Sequence, residues 1–299
     1  MILYGTKLHT DFSMPYRLPT EGDSRGTIGL IHGIHSTLRS KAAIGTLLYG
    51  DYHGRRVFFY SANQPFEKPL QTGDVLGYEV EGVVRFFWRF GEERIYYERL
   101  EGGNEWRLAF WFIHSLLPLY LTLEKQFVML HCSAVEIDGC AVVFIAPYHA
   151  GKSTLAAALL ERGHRLITDD ILATWKQENK IYCTLSHPYY RPGRGKETLG
   201  KYTEHFLSRF TEIERIFLLD DRKQNNQTTT ITPVSGLERF LVLKRHSILH
   251  TFKTLEKIHD RHILDLANTP FVSRLKRRWG MDEIQNICRT IEDHIGNHR

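Results

Sequence analysis

Along the first hundred residues the apolar positions fall in short, β-rich runs broken by turn residues: 27–31, 56–60, and the pair 83–90 and 94–98 around Phe90-Gly91-Glu92. Short strands with frequent turns predict a mostly β module. After Gly102-Gly103-Asn104 the pattern lengthens. Residues 106–123 are apolar nearly throughout, interrupted by Arg107, His114, Ser115 and Pro118. A bilayer span needs roughly 20 clean apolar residues, so this stretch predicts a buried helix. A hairpin-like pair, 128–137 and 140–145, then surrounds Asp138-Gly139, a dipeptide suited to a tight turn. Beyond it the periodicity predicts a helix at 154–162, strands at 165–167, 171–175, 181–185 and 215–219, and helices at 234–245 and 282–295. Ser235 with Glu238, and Asp282 with Gln285, have capping-box spacing at the last two starts. Alternating strands and helices predict an α/β sheet with helices packed on it. The expected organisation is a β-rich N-terminal domain over 1–103 and a second domain over 104–299.

Composition narrows the class. With 299 residues and 42% hydrophobic side chains the chain can bury a substantial core. Its net charge of +5 is spread along the sequence, which gives nucleic acid no concentrated partner surface. Cys132, Cys140, Cys183 and Cys288 form no C-x-x-C pair and no metal-ligand spacing with histidine, as in a reduced cytoplasmic setting. No basic segment leads into an apolar core at the N-terminus. The expectation is a cytoplasmic protein that uses neither membrane nor nucleic acid, with oligomerisation left open. Within the β-rich module, Arg85, Arg89 and Arg94 lie among many aromatics, and two readings stay open, a core and a substrate-docking surface.

The sharpest chemistry follows the apolar run Val142-Val143-Phe144-Ile145. Ala146-Pro147-Tyr148-His149-Ala150-Gly151-Lys152-Ser153-Thr154 leads from that run into a helix-forming stretch, the strand, loop, helix order of a P-loop. In such a loop backbone amides and the helix N-terminus converge on phosphate oxygens, a lysine neutralises the β- and γ-phosphates, and a hydroxyl ligates Mg²⁺. Tyr148, His149, Ala150, Gly151, Lys152, Ser153 and Thr154 are therefore the expected ATP contacts, with Ser153 on the metal. The opening glycine of the pattern is Ala146, tolerable if its φ is negative. Next, Thr168-Asp169-Asp170 ends the short strand at 165–167. Strand ends of α/β sheets face ligands, and phosphoryl transfer uses one carboxylate at Mg²⁺ and another to accept a hydroxyl proton. A plain solvated turn is the competing reading.

Taken together, Leu130-His131-Cys132-Ser133-Ala134-Val135, the loop 146–154, and Glu161-Arg162-Gly163-His164-Arg165-Leu166-Ile167-Thr168-Asp169-Asp170 resemble the HPr kinase/phosphorylase catalytic domain, which is related to phosphoenolpyruvate carboxykinase. The resemblance implies an ATP- and Mg²⁺-dependent kinase. It makes Asp169 the catalytic base, Asp170 a magnesium contact, His131 a neighbour of the transferred phosphate, and Lys152 a catalytic cation. Two departures stand out: Tyr148 and His149 replace a small residue and a glycine, and no E-I-R-G-L-G-type segment is present, which speaks against HPr itself as substrate and against a reversible enzyme. The layout, from Tyr4-Gly5 and Met14-Pro15 through Gly82-Val83-Val84-Arg85-Phe86 to His131, is similar to HPr-kinase-like tailoring enzymes of lasso peptides. That narrower resemblance implies a precursor peptide as partner, phosphorylated on its C-terminal serine. A small-molecule kinase and a nucleotide-sensing module without transfer activity are the alternatives. The basic stretch 274–278 reads either as a product-holding patch or as a solvated face, and Arg191, Arg194 and Lys196 as a loop closing over phosphate or a plain surface loop.

Overall fold

The computed structural model describes residues 1–33, 46–61, 70–125, 127–191, 195–219, 228–248, 256–268, 271–278 and 280–297; Arg194 lies outside them. The chain divides into two compact units. One comprises Met1–Phe127 with Gly195–Leu199 and Thr251–Ile258, the other Val128–Arg194 with Gly200–His250 and His259–Arg299.

The first unit is built on an eight-stranded sheet in the order Ile2–Leu3, Thr6–Thr10, Thr27–His32, Arg94–Arg99, Val84–Arg89, Val75–Val80, Arg55–Ser61, Thr46–Tyr52. Thr27–His32 runs parallel to both neighbours, and the other pairs are antiparallel. The apolar stretch after Asn104 is helical, as its pattern predicts: Glu105–Trp111, a π-helical turn at Phe112–Leu116, then Leu117–Lys125. Asn104 caps it, its side chain accepting from the Arg107 amide at 2.9 Å. Although this helix follows the Gly102-Gly103 break, it packs with the β-rich unit. Phe112 meets Phe86, Trp88 meets Tyr120, and the Tyr4 hydroxyl donates to the Ile113 carbonyl. A helix apolar on every side is buried on every side, and Leu108 to Ile113 are all 0–1% exposed.

In the second unit a sheet lies between helices. Its continuous path runs Arg165–Thr168, Ser133–Ile137, Cys140–Ile145, Thr211–Leu219, and Phe271–Lys276 pairs with the last of these. Cys140–Ile145, Thr211–Leu219 and Phe271–Lys276 are mutually parallel. Lys180–Thr184, Ile171–Gln177 and Val128–His131 extend the sheet from the start of Thr211–Leu219. The two faces carry separate cores. Leu155, Leu159, Ile287 and Ile291 from the helices Lys152–Glu161 and Ile284–Gly296 cover one; Leu243, Ile263 and Leu266 from Gly236–Arg245 and Glu256–Asn268 cover the other. The expected α/β character is observed. Among the described residues no helix is long and apolar enough to cross a membrane.

Three local expectations are corrected. The strand expected over 128–137 is two strands, Val128–His131 and Ser133–Ile137. The chain changes partners at Cys132, from Ile171–Gln177 to Cys140–Ile145 and Arg165–Thr168. Neither capping box forms: Ser235 is an N-cap without a side-chain bond, and the second helix is capped by Glu283, also without one. Finally, 271–276 is an inner strand, parallel to Thr211–Leu219 and antiparallel to Thr230–Pro233, with Val272, Ser273 and Leu275 buried. The half-buried Arg274 and Lys276 at alternate positions hid its period of two. The Asp138-Gly139 turn forms as predicted, with φ of 52° and 91°, the left-handed pair of a two-residue hairpin.

Candidate active site

One edge of the second sheet gathers the predicted chemistry, and the strand directions explain why. Cys140–Ile145 and Arg165–Thr168 are both antiparallel to Ser133–Ile137, so the loop after Ile145, the carboxylates after Thr168 and the start at Ser133 share an edge. Carboxyl ends of strands in α/β sheets are where ligands sit. The exit from Ile145 is extended because Ala146 precedes a proline, and Ala146 keeps a negative φ, the condition for replacing glycine there. His149 has φ 61° and Gly151 φ 79°. Glycine adopts this conformation freely, whereas a side chain there costs roughly 1–2 kcal/mol. Thus the histidine that replaces glycine sits where glycine would be unstrained. Gly151 then caps the helix Lys152–Glu161 without a side-chain bond, which leaves the first-turn amides uncovered by any capping side chain.

Lys152 is buried, its Nζ donating to the Ala146 and Pro147 carbonyls at 2.9 and 3.3 Å. Burial pulls its ammonium below the ordinary lysine range, against the opposing pull of Cys132 and Asp169. Asp169 is 2% exposed. It accepts bonds from the Ser133 hydroxyl, from the Arg191 amide at 2.6 Å and from the Ser153 hydroxyl. Burial nevertheless raises its pKa above the ordinary aspartate value, outweighing those donors and the nearby Arg191 charge. Asp170, equally buried, pairs with the Arg191 guanidinium and with His131, whose Nδ1 stands 3.3 Å from Oδ1. Backbone bonds brace the pair: the Cys132 amide donates to the Asp170 carbonyl at 2.9 Å, and the Thr168 hydroxyl donates to the Ile171 carbonyl at 2.9 Å. The Cys132 thiol between His131 and Ser133 is fully buried, and burial pushes it well above its usual range, so it stays protonated.

Asp169, Asp170, His131, Lys152 and Ser153 are therefore brought together. Tyr148 is exposed, with its ring stacked on His131 at 6.2 Å and 9°, and His149 meets Tyr148 edge-on at 4.7 Å. The Ala150 carbonyl accepts from Arg277, and Gly151 and Thr154 border a cavity together with Arg277. The reading of 274–278 as one patch is corrected. Arg274 pairs with Glu238, Arg278 with Glu283, and Arg277 is buried against the loop. Sequence reasoning gave no role to Ser133 and did not connect Arg191 to the carboxylates. Ser133 carried a weak signal, two residues from His131. The sequence places Arg191 only in a basic loop able to close over phosphate; its bond to Asp169 and its pairing with Asp170 follow from tertiary placement after the strand Tyr189–Tyr190.

The donor set fits the implied cofactors. Ser153 and the two carboxylates are hard oxygen donors, and Mg²⁺ is usually held by one or two carboxylates together with substrate phosphates and water. Among the described residues no group of three His, Cys, Asp or Glu converges as a metal cage, an arrangement Mg²⁺ does not need. A buried ammonium beside a helix N-terminus suits the phosphates of ATP.

No family model matches the chain. Two curated relatives share a segment with it. The HPr kinase/phosphorylase of Chlorobium phaeobacteroides is 29% identical over 90 residues, 30% of this chain and 22% of that protein. The HPr kinase/phosphorylase of Prosthecochloris aestuarii is 38% identical over 61 residues, 20% of this chain and 18% of that protein. The chain thus spans about a fifth of the length of these relatives, and over that segment it is HPr kinase/phosphorylase-like. Among solved structures, the Hpr(Ser) kinase/phosphatase from Coxiella burnetii aligns at a TM-score of 0.35 and 16% identity over 57% of this chain and 90% of that one, a likeness too loose to assign a fold.

Proposed function

We propose that this chain is a kinase that transfers the γ-phosphoryl group of ATP to a serine hydroxyl of a peptide, with the C-terminal serine of a lasso peptide precursor as acceptor. One observation carries the reading: a buried carboxylate of raised basicity, Asp169, is hydrogen-bonded to Ser153 in the first turn of the helix that follows the loop. Segmental similarity to HPr kinase/phosphorylases supports it.

In the proposed mechanism, Lys152 and the first-turn amides hold the β- and γ-phosphates. Asp169 accepts the proton of the attacking serine as its oxygen bonds to the γ-phosphorus and the bond to the β-phosphate oxygen breaks, releasing ADP. Mg²⁺, when bound, neutralises charge on the phosphate oxygens, and Ser153 and Asp170 would hold it. A carboxylate whose pKa lies above the ordinary value, as that of Asp169 does, is suited to accept a proton. Arg191, pairing with Asp170 while its amide fixes Asp169, keeps both carboxyls in place. His131 orients Asp170 from the other side. A second order of roles has its own support, since the Ser153 hydroxyl bonds Asp169: Asp169 would then stand at the metal and Asp170 would be the base.

Incubation with ATP, Mg²⁺ and peptides ending in serine tests the proposal by mass spectrometry. A gain of one phosphate on the peptide is expected. ATP loss without labelled peptide would point to a small-molecule acceptor, and binding without turnover to a sensor. Asp169→Asn and Asp170→Asn separate the two orders: the base variant loses kcat at saturating Mg²⁺, whereas the metal variant is partly restored by raising Mg²⁺.

A further inference from the structure

The geometry points to the cavity beside Thr154, Arg277, Met281 and Ile284 as the site for the purine base of the nucleoside triphosphate, an inference that rests on the phosphate-loop reading above. Strand order carries it. Across the site edge the strands run Arg165–Thr168, Ser133–Ile137, Cys140–Ile145, Thr211–Leu219, Phe271–Lys276. Asp169 and Asp170 follow the first, Arg277 follows the last, and the loop rises between them. A γ-phosphate that faces Asp169 for transfer leaves the remainder of the nucleotide pointing along the edge the opposite way, toward Arg277.

A cavity of about 190 Å³ lies in that direction. Its lining joins the loop and helix start, Gly151 and Thr154, to Arg277, Met281, Ile284 and Ile287. Pockets that enclose whole drug-sized ligands measure about 300–1,000 Å³, so this one suits a single flat heterocycle with ribose and phosphates outside it. The walls match such a ring on both counts that matter. Met281 is 72% exposed, a large apolar side chain held in water, and methionine sulfur packs favourably on aromatic rings. Ile284 and Ile287 add apolar surface, and the Thr154 hydroxyl and Arg278 at the lining supply polar groups for ring nitrogens. Arg277 ties the cavity to the phosphate loop, its guanidinium donating to the Ala150 carbonyl while only 3% exposed. Base and phosphate sites thus share one rigid wall.

The test compares binding of ATP and of inorganic tripolyphosphate to the whole chain by calorimetry, in the wild type and in Met281→Ser and Ile284→Thr. Met281 is exposed, so its variant keeps the fold even if Ile284→Thr does not. Loss of one apolar contact to the base is expected to raise the Kd for ATP about five- to tenfold, with the Kd for tripolyphosphate within about twofold of wild type. Unchanged ATP affinity in Met281→Ser, or parallel changes for both ligands, would place the base elsewhere and overturn the inference while leaving the phosphate loop intact. A wild-type chain that binds neither ligand would instead remove the phosphate-loop reading and this inference with it.

Discussion

Glu197 in the first unit and Asp169 in the second are both carboxylates drawn out of water and ringed by donors, yet their basicities move in opposite directions. Burial raises the pKa of Glu197, but Arg55 at 2.6 Å, the Trp111 indole at 2.8 Å and Arg107 at 3.3 Å outweigh it, and the net shift is downward. Burial also raises the pKa of Asp169, and there the Ser133, Ser153 and Arg191 amide donors, with the Arg191 charge, do not overcome it. Two differences decide the outcome. Glu197 has a cation directly on its oxygens, whereas the Arg191 guanidinium is engaged with Asp170. Glu197 also keeps 13% of its side chain in water, against 2% exposure for Asp169. A carboxylate neutralised by its own ion pair serves the fold; one left basic by burial is poised to take a proton.

Perturbing the site edge should have the largest consequence. Lys152→Ala removes the buried ammonium and is expected to lower phosphoryl transfer by on the order of 10²-fold or more, measured with saturating ATP; a loss of less than about threefold would detach the loop from the chemistry. Next come two stability effects with opposite pH trends. Glu197→Gln should destabilise the chain at pH 7 by about 1–3 kcal/mol, because three donors lose a charged acceptor. The folded pKa of Glu197 is lowered, so its contribution is present above the unfolded value near 4.3 and is lost as pH falls through the folded one. The penalty of Glu197→Gln should therefore shrink in acid. The folded pKa of Asp169 is raised, so its ionised form costs stability once pH climbs from about 3.9 through the folded value. Asp169→Asn should accordingly be less harmful to stability at pH 7 than at pH 4, the reverse trend, read from denaturant titrations at the two pH values. If both variants showed the same trend, the contrast between the two carboxylates would be lost. The smallest effect belongs to His149→Gly, which relieves a left-handed side-chain residue and should stabilise the chain by about 1 kcal/mol, visible as a rise in Tm.

What could be read from the sequence was what is encoded locally. Val142 to Ile145 followed by Gly151-Lys152-Ser153 specifies strand, turn and helix within a dozen residues, and Asp138-Gly139 specifies its hairpin by backbone preference alone. The adjacency of Asp169 and Asp170 in sequence is also adjacency in space. By contrast, the break at Cys132 depends on which strands arrive on either side, Ile171–Gln177 or Arg165–Thr168, and no local signal carries that. Arg191 reaches the carboxylates from 21 and 22 residues away through tertiary pairing. Phe271–Lys276 was obscured because its half-buried Arg274 and Lys276 break the apolar run expected of an inner strand. The capping boxes failed for local geometric reasons: Gly236, directly after Ser235, stands at φ 58°, and Glu283 rather than Asp282 takes the cap position of the last helix.

The most direct test of the account sets Asp169→Asn beside Glu197→Gln in one assay of phosphoryl transfer from ATP to a serine-terminated peptide, normalised to folded protein. Asp169→Asn is expected to lose on the order of 10²- to 10⁴-fold in kcat while Glu197→Gln stays within about twofold of wild type, its defect confined to stability. Full transfer by Asp169→Asn together with retained transfer by Asp170→Asn would contradict the claim that this edge of the sheet is where the phosphoryl group moves.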